Sequence, residues 1–185
     1  MQLTRVHHRF SVDDYDEMIE RGILTENDHV ELIRGEIIKK MSIGKGHGAC
    51  VKRLNRLLNR ILGDRAVVSV QDPIRLADSE PEPDLALLRP RTDFYASAKP
   101  GADDALLVIE VADTTLEYDR KEKRTLYAEA GIGEYWIVNL IDDCLEVYRK
   151  PRPDGQYADV NSPYPGQKID IVALPGISVA LTEIL

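Results

Sequence analysis

Apolar and polar residues alternate along this chain in short blocks that predict a mixture of helices and strands. Residues 49–62 place apolar side chains every three or four positions, as in an amphipathic helix, with Lys52, Arg56 and Arg60 on the other side. Residues 106–111 are apolar apart from Glu110, which favours a central strand covered on both faces. A strand–helix–strand unit over 106–139 predicts an α/β (α+β) fold, a mixed central β-sheet flanked by helices.

The other predicted elements follow from capping, turn and breaker residues. Ser11 and Asp14 have the spacing of a capping box, and Arg34-Gly35 is a hairpin turn signal. Glycines favour a loop at 44–48, and prolines favour another at 89–104. The predicted elements are a helix over 11–20, two strands within 29–41, a helix over 49–62, strands over 66–70 (continuing at 73–76), 84–88 and 106–111, a helix from about 119 to Ala130, strands over 135–139 and 144–149, and one or two strands at 168–172 and 177–181. No linker or repeat interrupts them, so we expect a single domain over residues 1–185.

The net charge, the apolar runs and the cysteines of the chain exclude some classes of function. The chain has 185 residues and a net charge of −8, which argues against a protein that coats nucleic acid but allows an enzyme that contacts DNA through one local patch. No apolar run approaches the ~20 residues of a membrane span, and the N-terminus lacks an apolar signal core. These features predict a cytoplasmic protein that does not enter the membrane. Cys50 and Cys144 have no metal-like spacing and are expected to be reduced thiols.

Two carboxylates at the ends of predicted strands are candidates for a metal site. Asp84 follows Pro83 at a predicted strand start, and Glu110 interrupts the apolar central strand. A buried carboxylate is costly unless it is paired or bound to a metal. An Asp and a Glu-x-Lys on neighbouring strands would form a magnesium nuclease site, but Ala112 stands where the lysine would be. The alternatives are a turn role for Asp84 and a simple ion pair for Glu110.

The following helix offers Lys123 as a substitute amine. Asp119, Lys123 and Tyr127 recur at helical spacing, which would direct Lys123 toward the sheet if Tyr127 marks the packed face. The competing interpretation is a solvated Asp119–Lys123 pair, which would contribute only ~0.3–0.5 kcal/mol. Lys121 and Arg124 lie off this stripe and are expected to be solvated.

These residues also carry a family resemblance. Over residues 10–149 the order and spacing of several short motifs resemble the Uma-two-type putative restriction endonuclease family. The matching motifs are Glu31-Leu32-Ile33-Arg34-Gly35-Glu36-Ile37, His47, Glu82-Pro83-Asp84-Leu85, Leu107-Val108-Ile109-Glu110-Val111, Asp119, Lys123, Tyr127, Gly131 and Glu134-Tyr135-Trp136-Ile137-Val138. One departure is Ala112-Asp113, where the family usually has a small residue followed by Ser or Pro.

The resemblance implies a PD-(D/E)-x-K restriction-endonuclease-like fold and a set of roles. Asp84 and Glu110 would bind Mg²⁺, with Mn²⁺ as the alternative ion, and Lys123 would be the catalytic lysine moved from the strand to the helix. Glu31 would be a further catalytic acid, with Glu36 as its competitor in the sequence. His47 and Gln71 are accessory candidates, although a lone histidine is more often a loop or capping residue.

The function predicted is a magnesium-dependent endonuclease that hydrolyses DNA phosphodiester bonds, acting as a homodimer. The first alternative is a non-catalytic binding module that keeps the nuclease fold with a vestigial acidic pocket, which the net charge and Ala112 favour. A second alternative is a phosphatase or another metal hydrolase, because a ligand set does not name its substrate.

Overall fold

A mixed β-sheet forms the centre of the molecule, as the sequence predicts, and it has six strands. The computed structural model describes residues 7–40, 44–164 and 166–185. In chain order the elements are α1 (Val12–Glu20), β1 (Val30–Ile33), β2 (Glu36–Lys39), α2 (Lys45–Leu62), β3 (Val67–Ser69), β4 (Leu85–Leu88), β5 (Ala105–Ala112), α3 (Leu116–Tyr118), a π-helical segment (Asp119–Lys123), α4 (Arg124–Glu129), β6 (Glu134–Asn139), β7 (Cys144–Pro151), β8 (Tyr157–Asn161), β9 (Lys168–Asp170), β10 (Ser178–Ala180) and α5 (Leu181–Ile184). The large sheet has the order β3-β4-β5-β6-β7-β8; β5 and β6 are parallel, and the other neighbours are antiparallel.

The N-terminal elements follow their local sequence signals. The Asp14 amide donates to the Ser11 hydroxyl, and the Ser11 amide donates to the Asp14 carboxylate, so the predicted capping box starts α1. Strands β1 and β2 pair across Arg34 and Gly35, which have φ values of 51° and 76°. Both values lie in the left-handed region that tight hairpin turns use. Met41, the predicted end of this hairpin, lies outside the described residues.

Both faces of the sheet are covered. Along β5, Leu107, Ile109 and Val111 face a core that contains the apolar stripe of α2, whereas Val108 and Ala112 face a second core beneath α4. Side chains two residues apart on a strand point to the same face, so Glu110, between Val108 and Ala112, lies on the α4 side. Trp136 on β6 is fully buried, as expected of a core residue.

The predicted loop over residues 44–48 is wrong, because α2 already begins at Lys45. Glycine disfavours helices through its backbone entropy, which is why the sequence suggested a loop. In the fold, the Gly48 amide donates to the Gly44 carbonyl, and the His47 side chain is buried. Tertiary contacts of His47 therefore outweigh the weak helix propensity of its neighbours.

The structure also differs from the prediction at the sheet edge, after β3 and at the start of the helix that follows β5. Strand β8 was not predicted, because Tyr157–Asn161 lacks a strong apolar alternation. Residues 73–76 do not continue β3; Arg75 makes an isolated bridge with Gly101 instead. Helical structure begins at Leu116 with α3, before the predicted helix start at about residue 119, and Arg124 is half-buried rather than solvated.

Candidate active site

The strand register brings Asp84 and Glu110 together. Leu85 is paired with Ile109 in the antiparallel β4–β5 ladder, so Asp84, one residue earlier, faces Glu110. The Asp84 amide donates to Glu110 Oε2 at 3.1 Å, and the Val111 amide donates to Asp84 Oδ2 at 2.9 Å. Asp84 is 9% exposed and Glu110 is 6% exposed. The two carboxylates thus form a buried pair on the α4 side of the sheet.

Lys123 supplies the amine that β5 lacks. Its Nζ donates to Glu31 Oε2 at 2.6 Å and lies 3.5 Å from Glu110 Oε1. Lys123 is buried, so it points toward the sheet, and the interpretation as a surface pair with Asp119 is wrong. Ala112, two residues after Glu110, is fully buried in the core beneath α4.

A π-helical segment presents Lys123, and it also presents Asp119. π-Helical turns are rare, and those that occur are often at functional sites, because the wider turn redirects side chains. Asp119 is buried, and its carboxylate accepts a 2.6 Å hydrogen bond from Thr115 Oγ1. From the sequence alone, Asp119 marks the helix face, offers a surface partner to Lys123 and belongs to the family motif, but it is not assigned to the site. Its i, i+4 spacing from Lys123 was the signal that could have assigned it to the site.

Accessory residues fix the orientation of each carboxylate. His47 Nε2 lies 2.9 Å from Asp84 Oδ2, and Gln71 Nε2 donates to Asp84 Oδ1 at 3.3 Å. The Tyr127 hydroxyl donates to Glu110 Oε1 at 2.9 Å. The structure therefore places both accessory candidates at Asp84, and it adds Tyr127 at Glu110.

Of the two acids in the hairpin, Glu31 is the one that lies at the site. Its Oε2 accepts from Lys123 and from the Glu82 amide, the latter at 3.2 Å. Glu36 lies on β2 and is 3.8 Å from Arg9 in an exposed contact. Glu31 thus joins the N-terminal hairpin to the helix that carries Lys123.

The four buried carboxylates, Lys123 and the two accessory residues at Asp84 line one cleft with a volume of about 340 Å³. Its walls come from the β1–β2 hairpin, the first turn of α2, the strand ends and α3 with the π-helical segment. The lining residues are Glu31, Ile38, Lys39, Lys40, His47, Gln71, Glu82, Asp84, Glu110, Thr114, Thr115, Tyr118, Asp119 and Lys123. A cleft of this size, with convergent polar groups at its base, has the properties of a binding site.

Burial shifts the protonation equilibria of the site. Desolvation raises the pKa of Glu110 to about 8, although Lys123 partly offsets it, and raises the pKa of Asp119 to about 6 despite the Thr115 hydrogen bond. Burial alone would lower the pKa of Lys123, but Glu110 and Glu31 outweigh burial and raise it. The same opposition holds at His47, where Asp84 overcomes desolvation and raises the pKa.

The donor set fits a hard divalent cation. Four buried carboxylates, Glu31, Asp84, Glu110 and Asp119, share the cleft with one buried lysine. Within residues 7–40, 44–164 and 166–185, however, no group of three or more His, Cys, Asp or Glu side chains is arranged to hold a metal ion. Mg²⁺ commonly uses only one or two carboxylates and completes its shell with waters and substrate phosphates. The Asp84–Glu110 pair is compatible with that mode of binding.

These pKa shifts predict that the stability of the metal-free protein falls as the pH rises. Glu110 and Asp119 have raised folded-state pKa values, so the stability they contribute is complete below their ordinary values and is lost through about pH 6 and pH 8. The loss is at most ~1.4 kcal/mol per pH unit for each group. We expect the melting temperature in EDTA to fall between pH 5 and pH 8.5. A melting temperature that rises over this range would contradict the assignment of Glu110 and Asp119 as buried acids with raised pKa values.

Fold and site together define a nuclease-fold protein with a buried acid–lysine cleft. The chain belongs to the Uma2 family, whose model, described as "Putative restriction endonuclease", matches residues 12–182. The match extends the resemblance seen in the sequence into the C-terminal tail. One similar solved structure is that of a protein from Anabaena variabilis, described as a putative nuclease belonging to DUF820. It has a TM-score of 0.71 and 14% identity, and the alignment covers 95% of this chain and 97% of that one.

No curated protein matches this chain. Across the described ranges, no helix is both long enough and apolar enough to cross a membrane.

Proposed function

We propose that this protein is a magnesium-dependent endonuclease that hydrolyses DNA phosphodiester bonds, with Mn²⁺ as an alternative ion. The observation that carries the proposal is the 3.5 Å contact between Lys123 and Glu110 beside the Asp84–Glu110 pair. Family membership and the nuclease-fold neighbour support the same class of reaction. Because a double-strand cut needs two such sites, the proposal includes a homodimer.

Asp84 and Glu110 are the residues that would hold the ion. Each carboxylate oxygen has two lone pairs, and Glu110 Oε2 uses one of them to accept the hydrogen bond from the Asp84 amide, which leaves the other for a metal ion. A divalent ion bound there would neutralise phosphate charge and lower the pKa of a water molecule. It would also supply the positive charge that the buried carboxylates lack.

The other side chains would orient the substrate and the acids. Lys123 stays charged, because Glu31 holds its ammonium group at 2.6 Å, and it would stabilise the charge that develops on the phosphate. His47 and Gln71 orient Asp84, and Tyr127 orients Glu110. Such supporting hydrogen bonds keep ligand oxygens in a fixed direction.

A non-catalytic binding module is the second candidate, and one observation favours it. In the structure, amide, hydroxyl and amine donors of the protein already contact the Asp84 and Glu110 carboxylates. Such a module would neither cleave DNA nor gain stability from divalent ions. Metal-linked stabilisation therefore separates the two candidates.

Cleavage of a supercoiled plasmid in Mg²⁺ tests the proposal. We expect the wild type to nick the plasmid and Asp84→Asn to do so at least ~100-fold more slowly, because the substitution removes a charged ligand oxygen. The matched control is Glu122→Gln, which makes the same change in charge at an exposed position of the π-helical segment. Equal rates for the wild type and Asp84→Asn would contradict the proposal.

A further inference from the structure

Helix α2 carries a charge that is opposite to that of the whole chain. Its 18 residues include Lys45, Lys52, Arg53, Arg56 and Arg60 and no Asp or Glu, although the chain has a net charge of −8. All five basic side chains are exposed. One helix surface is therefore basic, although the protein as a whole is acidic.

Three of these side chains form a stripe along the helix. At 100° per residue, Lys45, Lys52 and Arg56 lie within about 40° of one another, and they extend over about 16 Å of helix. Among the described residues, none of the three makes an ion pair, whereas Arg60 contacts Glu183 at 2.6 Å and Arg53 donates to the Ile184 carbonyl. We call Lys45, Lys52 and Arg56 the α2 stripe.

The stripe does not serve the stability of the helix. Lys52 and Arg56 are like charges at i, i+4, which is an unfavourable spacing. Lys45 lies in the first turn of α2, which contains no acidic residue, so its charge opposes the helix dipole. A carboxylate near this helix end is that of Asp113, which comes from another segment and approaches the N-cap residue Gly44. On two other helical segments, by contrast, an exposed basic residue has an acidic partner at this spacing, as in Arg21–Glu17 and Lys121–Glu117.

The position of α2 connects the stripe to the cleft. The first turn of the helix carries Lys45 outward and His47 inward, where His47 contacts Asp84. We propose that the α2 stripe docks the sugar-phosphate backbone of DNA beside the cleft, an inference that rests on the proposed function of that cleft. Three cations spaced over about 16 Å, none with an ion pair to a residue that the structure describes, suit a polyanion with regularly repeated phosphates rather than a single anion.

The test compares two triple variants that change the net charge equally. One replaces Lys45, Lys52 and Arg56 with Gln; the control replaces Arg21, Lys150 and Lys168, which are exposed elsewhere on the surface, with Gln. Binding to a fluorescent 20-base-pair duplex is followed by anisotropy in EDTA over a range of salt concentrations. We expect the stripe variant to bind at least ~10-fold more weakly and its salt slope to decrease by ~2.7, which is three phosphate contacts. The control variant should bind within ~2-fold of the wild type.

Equal losses in both variants, an unchanged slope in the stripe variant, or no duplex binding by the wild type would each overturn the proposal. Hydrolysis of bis(p-nitrophenyl) phosphate in Mn²⁺ separates failure of the docking proposal from failure of the proposed function. This small phosphodiester cannot span the stripe, so its hydrolysis reports on the cleft alone. The stripe variant should retain the wild-type rate on it. A parallel loss on the small substrate would mean that the substitutions disturb the cleft, which also counts against a docking role.

Discussion

Replacing Lys123 with Met is expected to abolish detectable DNA cleavage and to destabilise the metal-free protein by about 3–5 kcal/mol at pH 8. The ammonium group is the buried cation between Glu31 and Glu110, at 2.6 and 3.5 Å from their carboxylates. Without it, two buried carboxylates lose their counter-charge. The loss should shrink at pH 5.5, where Glu110, with its pKa of about 8, is protonated. Urea unfolding at both pH values measures the effect.

Two further variants control this prediction. Lys121→Met removes an exposed amine from the same π-helical segment, where it pairs with Glu117, and should cost less than ~1 kcal/mol. Adding Glu31→Gln to Lys123→Met should restore part of the stability, because it removes one of the uncompensated charges. Wild-type stability in Lys123→Met at pH 8 would show that the lysine is not held as described.

Replacing Glu110 with Gln is expected to slow cleavage at least ~100-fold and to eliminate stabilisation by Mg²⁺. In the wild type, an ion at a hundredfold over its Kd should add ~2.7 kcal/mol. In EDTA at pH 8, by contrast, Glu110→Gln should unfold within ~1 kcal/mol of the wild type, because the charge that it removes is unfavourable there. Thermal melts with and without Mg²⁺ give both quantities.

Glu134→Gln provides the contrast on the same sheet. Glu134 is also buried, but it accepts hydrogen bonds from Arg149, Trp136 and Val172. Its substitution should cost ~1–3 kcal/mol in EDTA while leaving the Mg²⁺ response intact. If Glu110→Gln behaved like Glu134→Gln, Glu110 would be a structural residue and its role as a ligand would be wrong.

The sheet and the central acid pair were predictable from local signals. An apolar run interrupted by Glu110 marks a covered strand, and Asp84 stands at the start of its antiparallel neighbour. The orientation of Lys123 required only its helical spacing from Tyr127, which is fully buried. These predictions succeeded because hydrophobic periodicity determines which face of each element is buried.

Other features depend on contacts that no local pattern encodes. The early start of α2 reflects the contact of His47 with Asp84, which is 37 residues away in the sequence. Asp119 becomes a buried acid of the cleft because the π-helical segment and Thr115 position it. The edge strand β8 is defined by its pairing with β7 rather than by its composition. Each of these features requires the assembled tertiary structure.

The decisive measurement is anomalous scattering from crystals of the protein grown in Mn²⁺. We expect a manganese peak in contact with both Asp84 and Glu110, with the Lys123 ammonium group still bound to Glu31. A Lys123 side chain displaced into bulk solvent would show that the acid–lysine site is wrong, as would manganese bound elsewhere while the acid pair binds none.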